Sequence, residues 1–250
     1  MRLQVKLSLA GLLLGACSLV LIQAQAQAQD ATGVRALLAP VQEAVLAGEI
    51  AARIDSMPLD AGERFRKGDV LVSFDCAVYR AALAEARAAQ KAAEVTLENA
   101  RELAKLNSGS ILASALAEAE LERAKARVDA SRIPVERCVI RAPFGGLVVA
   151  RKAQPHESVT AGQPLLAVLD DTNPEIRLVV PSAWLRWLKP NTPFTLLIDE
   201  TGQKYQARLT RIGARVDPVS QTIEVFGGFP AKPKDLVTGM SGTASFEKMP

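Results

Sequence analysis

Histidine, aromatic side chains, cysteine and net charge are all scarce in this chain, and each scarcity closes off a class of function. The one histidine, His156, lies in the polar stretch Gln154-Pro155-His156-Glu157-Ser158 and reads as a solvated turn residue. With no Ser or Cys motif beside it there is no triad for nucleophilic catalysis. A metal centre needs several His, Cys or Met at ligand spacing, whereas Met57, Met240 and Met249 are scattered, so no metal site is expected. Aromatics make up 4% of the chain, which leaves little for base stacking. The formal charge is only +3, and two of those charges, Arg2 and Lys6, sit in the first six residues. That near-balance excludes nucleic acid as a partner. The expectation is a non-enzyme with no cofactor.

Long apolar runs are also missing, with one exception at the N-terminus. Arg2 and Lys6 precede an apolar run from Leu7 to Ile22 and then Gln-Ala alternation up to Asp30, the pattern of a secretory signal peptide over 1–28. Cleavage is expected near Ala28. A second reading takes Leu14-Gly15-Ala16-Cys17 as a lipobox, with Cys17 lipidated and the protein attached to the inner membrane. A third, an uncleaved anchor, meets a run of about sixteen residues where a span needs roughly twenty. The exported chain is placed in the periplasm.

What is present is a broken repeat. The segments Gly48-Glu49-Ile50 to Phe74-Asp75 and Gly146-Leu147-Val148 to Leu169-Asp170 read as two copies of one β-motif, each opening on a Gly. Glu63 precedes Gly68 as Glu157 precedes Gly162, and the apolar strands Val70 to Phe74 and Pro164 to Val168 follow. Gly68 and Gly162 each stand at a tight turn where a positive φ costs only Gly nothing.

The copies are separated by Ala/Glu/Arg/Leu-rich sequence with helical periodicity. Tyr79, Ala86, Ala93 and Ala100 recur every seven residues, interleaved with Leu83, Gln90, Leu97 and Ala104, and a returning arm carries Ala117, Leu121, Ala124, Val128, Ser131 and Val135. Alanine at so many seam positions implies two helices in close approach. Asn107-Ser108-Gly109-Ser110 breaks the helix between them, and Pro134 is expected to limit the second arm. The outward charges read as a solvated surface. Leu106, Ile111 and Leu112 crowd the turn, where a purely structural hairpin needs no apolar residue, and mark it as a candidate protein-docking surface.

Cys76 closes the first copy and Cys138 opens the second, at the two feet of the helical arms. In an oxidising compartment they are expected either as a disulfide or as two buried thiols.

Export signal, half-motif, helical hairpin and half-motif together resemble the periplasmic adaptors, or membrane fusion proteins of the hemolysin D type. The most specific element is Cys138-Val139-Ile140-Arg141-Ala142-Pro143-Phe144-Gly145-Gly146, similar to that family's strand after the hairpin. Arg66-Lys67-Gly68-Asp69-Val70-Leu71 resembles its first turn, and Val159-Thr160-Ala161-Gly162-Gln163-Pro164-Leu165 its second. The resemblance implies a mainly β fold with a long α-helical coiled-coil hairpin at 76–137. A lipoyl-like barrel-sandwich hybrid at 47–75 and 139–170 would be split by that hairpin. A small β-barrel domain would fill 171–250, with 29–46 as an N-terminal strand or linker.

The barrel would include Trp184-Leu185-Arg186-Trp187-Leu188-Lys189-Pro190, whose Trp184 and Trp187 either pack on the barrel or contact a partner. Asn191 stands where a Gly is usual and Thr238 where a Pro is usual. A membrane-proximal domain is expected to be absent. A lipoyl or biotinyl carrier shares the half-barrel design but needs an exposed Lys where this chain has its helices, and is set aside.

The family's implied partners are an inner-membrane transporter, expected to be of RND type, and an outer-membrane channel. Copies of the chain would self-associate into a ring or funnel. The tip residues nearest to the family's Arg, Leu, Ser pattern are Arg101, Leu106 and Ser110 or Ser114, at a departing spacing, with Ile111 beside them. The alternatives are an ABC-type exporter as partner, or a periplasmic scaffold or regulatory binding module of the same fold.

Overall fold

The computed structural model describes residues 33–106, 110–231, 233 and 235–247; the leader with Cys17, the turn 107–109 and Met249 lie outside them. The chain runs β1 (Gly33–Ala39), β2 (Glu43–Ala47), β3 (Ala52–Ser56), β4 (Arg64–Phe65) and β5 (Val70–Phe74), then the helices α1 (Ala77–Lys105) and α2 (Ile111–Glu136). After them come β6 (Val139–Arg141), β7 (Gly146–Arg151), β8 (Ser158–Val159), β9 (Pro164–Leu169) and β10 (Glu175–Pro181). A 3₁₀ turn at Ser182–Arg186 leads to β11 (Pro193–Ile198), β12 (Lys204–Asp217), β13 (Thr222–Gly228) and β14 (Ser241–Phe246). The fold is mainly β, in two compact units.

The first unit is a sandwich from which the helices emerge. Its sheets run β2-β9-β7-β4 and β6-β5-β3-β8, so each takes strands from both sides of the helical insertion. Ile54, Phe65, Leu71, Phe74, Val148, Leu165, Leu166 and Val168 fill one core between them.

The two halves correspond at a constant offset of 94 residues, the spacing of Gly68 from Gly162, and the backbone contacts of their turns and strands recur with the roles exchanged. Gly68 N–H donates to Ala142 O at 2.9 Å, and Gly162 N–H to Gly48 O at 2.7 Å. Gly62 N–H donates to Val148 O at 2.8 Å, and His156 N–H to Ile54 O at 2.9 Å. Arg64 stands opposite Leu147 as Ser158 stands opposite Arg53, and Val72 opposite Ile140 as Leu166 opposite Leu46. An operation that exchanges the halves and returns to itself is an approximate two-fold axis.

The repeated glutamates act in matching turns: Asp60 N–H donates to Glu63 Oε2 at 2.8 Å and Gln154 N–H to Glu157 Oε2 at 2.9 Å. Gly68 and Gly162 have φ of 89° and 87°, and His156 takes φ 69° where its counterpart Gly62 has 87°.

Two expectations change. The opening glycines are not equivalent, because the offset pairs Gly48 with Ala142 and Gly146 with Ala52. Gly146 is needed for contact: a Cβ there would lie 1.9 Å from Leu169 O. Residues 29–46, expected as a strand or a linker, contain β1 and most of β2, which pair with β14 and β9. Pro134 does not stop α2, which continues through it to Glu136. It falls in the last turn, where the only bond it forfeits is to the carbonyl of exposed Ala130.

The second unit is a closed six-stranded barrel in the order β1-β10-β13-β12-β11-β14. Alternation drives it: Val34, Ala36, Leu178, Val180, Phe194, Leu196, Ile198, Leu209, Ile223, Val225 and Ala244 point inward and are buried. Asn191 has φ 70° and donates its N–H to Leu209 O at 2.8 Å, so it occupies the left-handed position without a Gly.

Candidate functional site

At their feet the helices are tied to the sandwich by four contacts. Cys76 and Cys138 form a disulfide across 62 residues of sequence with Cα atoms 6.1 Å apart, and both are buried. Tyr79 Oη donates to Ala51 O at 2.9 Å, Arg53 pairs with Asp75 at 3.1 Å, and Arg137 pairs with Glu49 at 3.1 Å. Above the feet Leu83, Ala86, Ala93 and Leu97 of α1 and Ala117, Leu121 and Ala124 of α2 are buried along the seam. Small side chains at these positions allow the close approach that the sequence pattern implied.

Towards the far end the residues singled out from the sequence separate into two groups. Arg101 pairs with Glu118 at 3.1 Å and Ser114 Oγ donates to Ala100 O at 3.3 Å, so both bond between the two helices. Ser110 is the N-cap of α2, its Oγ accepting from Leu112 N–H at 3.2 Å. Leu106 and Ile111, in contrast, are 72% and 87% exposed, and Leu112 is 66% exposed. Leu103 and Leu116, which sequence reading passed over, extend the same apolar surface. The signal was available, since Leu103–Leu106 and Leu112–Leu116 keep three-four spacing.

On the barrel, Trp184 and Trp187 follow Pro181 in the 3₁₀ turn and its cap. Their rings are 5.3 Å apart and lie 5.6 and 6.1 Å from Phe246 of β14, in T-shaped contact. Both are half-buried, Leu188 beside them is buried and Leu185 is exposed. At the β12–β13 turn Val219 is 92% exposed. That turn is held by Asp217, whose carboxyl sits below its ordinary range because the backbone N–H groups of Ser220 and Val219 donate to it.

Among the described residues no group of three or more His, Cys, Asp or Glu could hold a metal ion. No helix among them is long and apolar enough to cross a membrane.

A sandwich interrupted by a long helical pair, with a six-stranded barrel in the same chain, defines a recognisable architecture. No family model matches the chain. Nodulation protein NolF of Rhizobium meliloti (strain 1021) is 24% identical over 204 residues, covering 76% of this chain and 56% of its own. The chain spans about half the length of the curated relatives it matches. The membrane fusion protein Spr0693 from Streptococcus pneumoniae R6 superposes with a TM-score of 0.72 at 14% identity, over 87% of this chain and 99% of that one. A MacA-MexA chimeric protein containing the Pseudomonas aeruginosa MexA α-hairpin domain gives 0.72 at 19% identity, over 85% and 78%. The chain thus has the fold of these solved structures, the architecture that its sequence resembles.

Proposed function

We propose that the chain is a non-enzymatic periplasmic adaptor in efflux or secretion, linking an inner-membrane transporter of RND type to an outer-membrane channel. The observation that carries the reading is the sandwich assembled from both halves of a broken repeat with two long helices inserted between them. A core interrupted in this way projects the insertion outward, and its mechanism is geometric: it couples and seals a conduit without turning over substrate. In this reading 76–137 is a coiled-coil hairpin and 47–75 with 139–170 a lipoyl-like domain, while 171–250 together with β1 forms the barrel. Residues 1–28 export the chain to the periplasm, with Cys17 as the site of lipid attachment if they are not removed at Ala28. Copies assemble into a ring or funnel.

The exposed Leu106, Ile111 and Leu112 support the tip as the channel-facing surface, reached past Ser110. Arg101 and Ser114 act in that surface by holding the two helices in register. Trp184 and Trp187 contribute to a transporter-facing surface through the edges left exposed by their packing on Phe246. Engagement of Arg101 and Ser114 within the helical pair favours, as the second reading, a periplasmic scaffold of the same fold.

Photoreactive residues at Ser110 and at Trp187, cross-linked in cells and read by mass spectrometry, separate the two. Capture of an outer-membrane channel from Ser110 and of an inner-membrane transporter from Trp187 establishes the adaptor and tells RND from ABC. Capture of soluble periplasmic proteins alone leaves the scaffold.

A further inference from the structure

The barrel has two unlike ends. Gly33 opposite Ser245 and Phe194 opposite Phe246 set one of them; Leu37 opposite Ser241 and Ile198 opposite Gly242 set the other. At the second end the β11–β12 turn is Asp199-Glu200-Thr201-Gly202, without an apolar side chain. Its acids are engaged: Asp199 accepts from Arg35 at 2.6 Å and Glu200 accepts the Ser241 N–H at 2.9 Å. Polar residues and glycine are the ordinary make-up of a solvated hairpin turn.

The first end departs from that make-up. Ser182 N–H donates to Gln221 O at 2.8 Å, which sets the β12–β13 turn beside the 3₁₀ turn, and Trp184 and Trp187 lie against Phe246. Val219, Val216 and Leu185 are exposed on these two turns, as are Pro181, Pro190 and Pro218. Between them in sequence stand the exposed cations Arg186, Lys189 and Arg215, none with an acid partner among the described residues. Two acids share this end. Asp217 is turned onto the backbone N–H groups of Val219 and Ser220, and Glu247 follows β14. Apolar tips interleaved with unpaired cations, with both tryptophans of the chain beside them, are the composition of a surface that lies in the headgroup layer of a bilayer.

We infer that this end of the barrel docks on the surface of an anionic phospholipid bilayer. Val219, Val216 and Leu185 enter the headgroup layer, and Arg186, Lys189 and Arg215 meet lipid phosphates. The path of the chain supports that occupant. The leader joins the barrel at Gly33, at this same end, and Cys17 lies sixteen residues before it, about 50 Å at full extension. A lipid on Cys17, or a retained leader, therefore brings this end to the membrane. One acyl chain alone gives marginal, reversible attachment; a stable one needs a second signal, which a basic patch supplies. Laterally mobile headgroups meet cations on two separate turns without a fixed spacing, whereas a folded acidic partner has to match that spacing. A transporter stands in the same bilayer, so the exposed edges of Trp184 and Trp187 stay open to it. The inference deepens the periplasmic reading and rests on export. Its test needs neither transporter nor channel, so its failure is distinguishable from failure of the adaptor reading.

The test is co-sedimentation of the chain from Gln29 onward, disulfide intact and carrying no lipid, with vesicles of mixed phosphatidylethanolamine and phosphatidylglycerol. Vesicles of phosphatidylcholine alone serve as the neutral comparison. The variants are Val219→Asp, and Arg186→Gln with Lys189→Gln and Arg215→Gln. The expected result is binding to the anionic vesicles that weakens at least about tenfold in each variant, and as much for wild type on the neutral ones. Trp184 and Trp187 are the chain's two tryptophans and both stand at this end, so lipids brominated on the acyl chain should quench the protein's fluorescence. Melts of the variants should match wild type, because all four side chains are exposed and the turn is held by Asp217. A wild-type chain that stays in the supernatant with anionic vesicles overturns the inference. So do folded variants that bind like wild type, tryptophan fluorescence indifferent to the brominated lipid, or a photoreactive residue at Val219 that captures an inner-membrane protein in cells and no lipid.

Discussion

The two halves of the sandwich follow the same path through the same turns, yet they differ at the ends from which the rest of the chain departs. Where the helices leave, Cys76 and Cys138 are joined covalently. At the equivalent end, where β1 and β10 leave, the counterparts are Asp170 and Ala44, and closure is non-covalent: Asp170 N–H donates to Gln42 O at 2.8 Å, and Asp171 is held by Arg64. The Arg64–Asp171 bond also raises the guanidinium above its ordinary pKa. Helices of 29 and 26 residues are about 40 Å long, so a force at their tip acts on the feet through a long lever. Backbone devices are shared between the halves, and side chains diverge where each half meets something other than the common core.

Removing the covalent end is the strongest test of that contrast. Cys76→Ala with Cys138→Ala should lower the unfolding free energy by about 4 kcal/mol for a loop of this length in the chain-entropy model. Urea melts with and without reductant read the effect; coincident melts would mean that the disulfide is no more than an accessory to the non-covalent contacts. Next in size is the pair Gly146 and Ala52. Gly146→Ala drives a Cβ onto the Leu169 carbonyl and should cost about 3 kcal/mol. Ala52→Gly, at the counterpart, should cost only about 0.5 to 1 kcal/mol through the freer unfolded chain. Equal losses in the two melts would sink the claim that the halves pack differently here.

The repeat was legible because its turns use residue types that few other positions need, Gly68 with Glu63 and Gly162 with Glu157. The slip of four residues at its opening arose because Gly48 and Gly146 look alike in sequence but answer different requirements. Only Gly146 is pressed against a facing carbonyl, a fact that resides in β9 more than twenty residues further on. The helical seam was legible from spacing alone, since Ala and Leu at heptad positions have one use. β1 was not, because its partner β14 lies some 200 residues away and Val34, Ala36 and Leu38 make too short an alternation to announce a barrel. Of the candidate tip, the apolar residues were readable as exposed. The inward bonding of Arg101 and Ser114 was not, because it depends on which residue of the opposite helix arrives beside them.

The smaller predictions ask whether the turns, unlike the ends, behave as equals. No atom lies within 4 Å of a Cβ built on Gly68 or Gly162, so the cost of Gly→Ala there is the left-handed backbone alone. It should be about 1 kcal/mol at each, and alike in chemical melts. His156 is already in that conformation where its counterpart is Gly62, so His156→Gly should move the other way, gaining several tenths of a kcal/mol. Smallest are Glu63→Ala and Glu157→Ala, each losing one exposed bond to a backbone N–H and about 0.5 kcal/mol. Their near-equality is the sharper point. Glu157 Oε1 also accepts from Gln163 Nε2 at 3.3 Å, whereas the counterpart of Gln163 beside Glu63 is Asp69. An acid at that position cannot donate to a glutamate, so any excess loss at Glu157 over Glu63 in matched melts measures what the second half gained by carrying Gln where the first carries Asp.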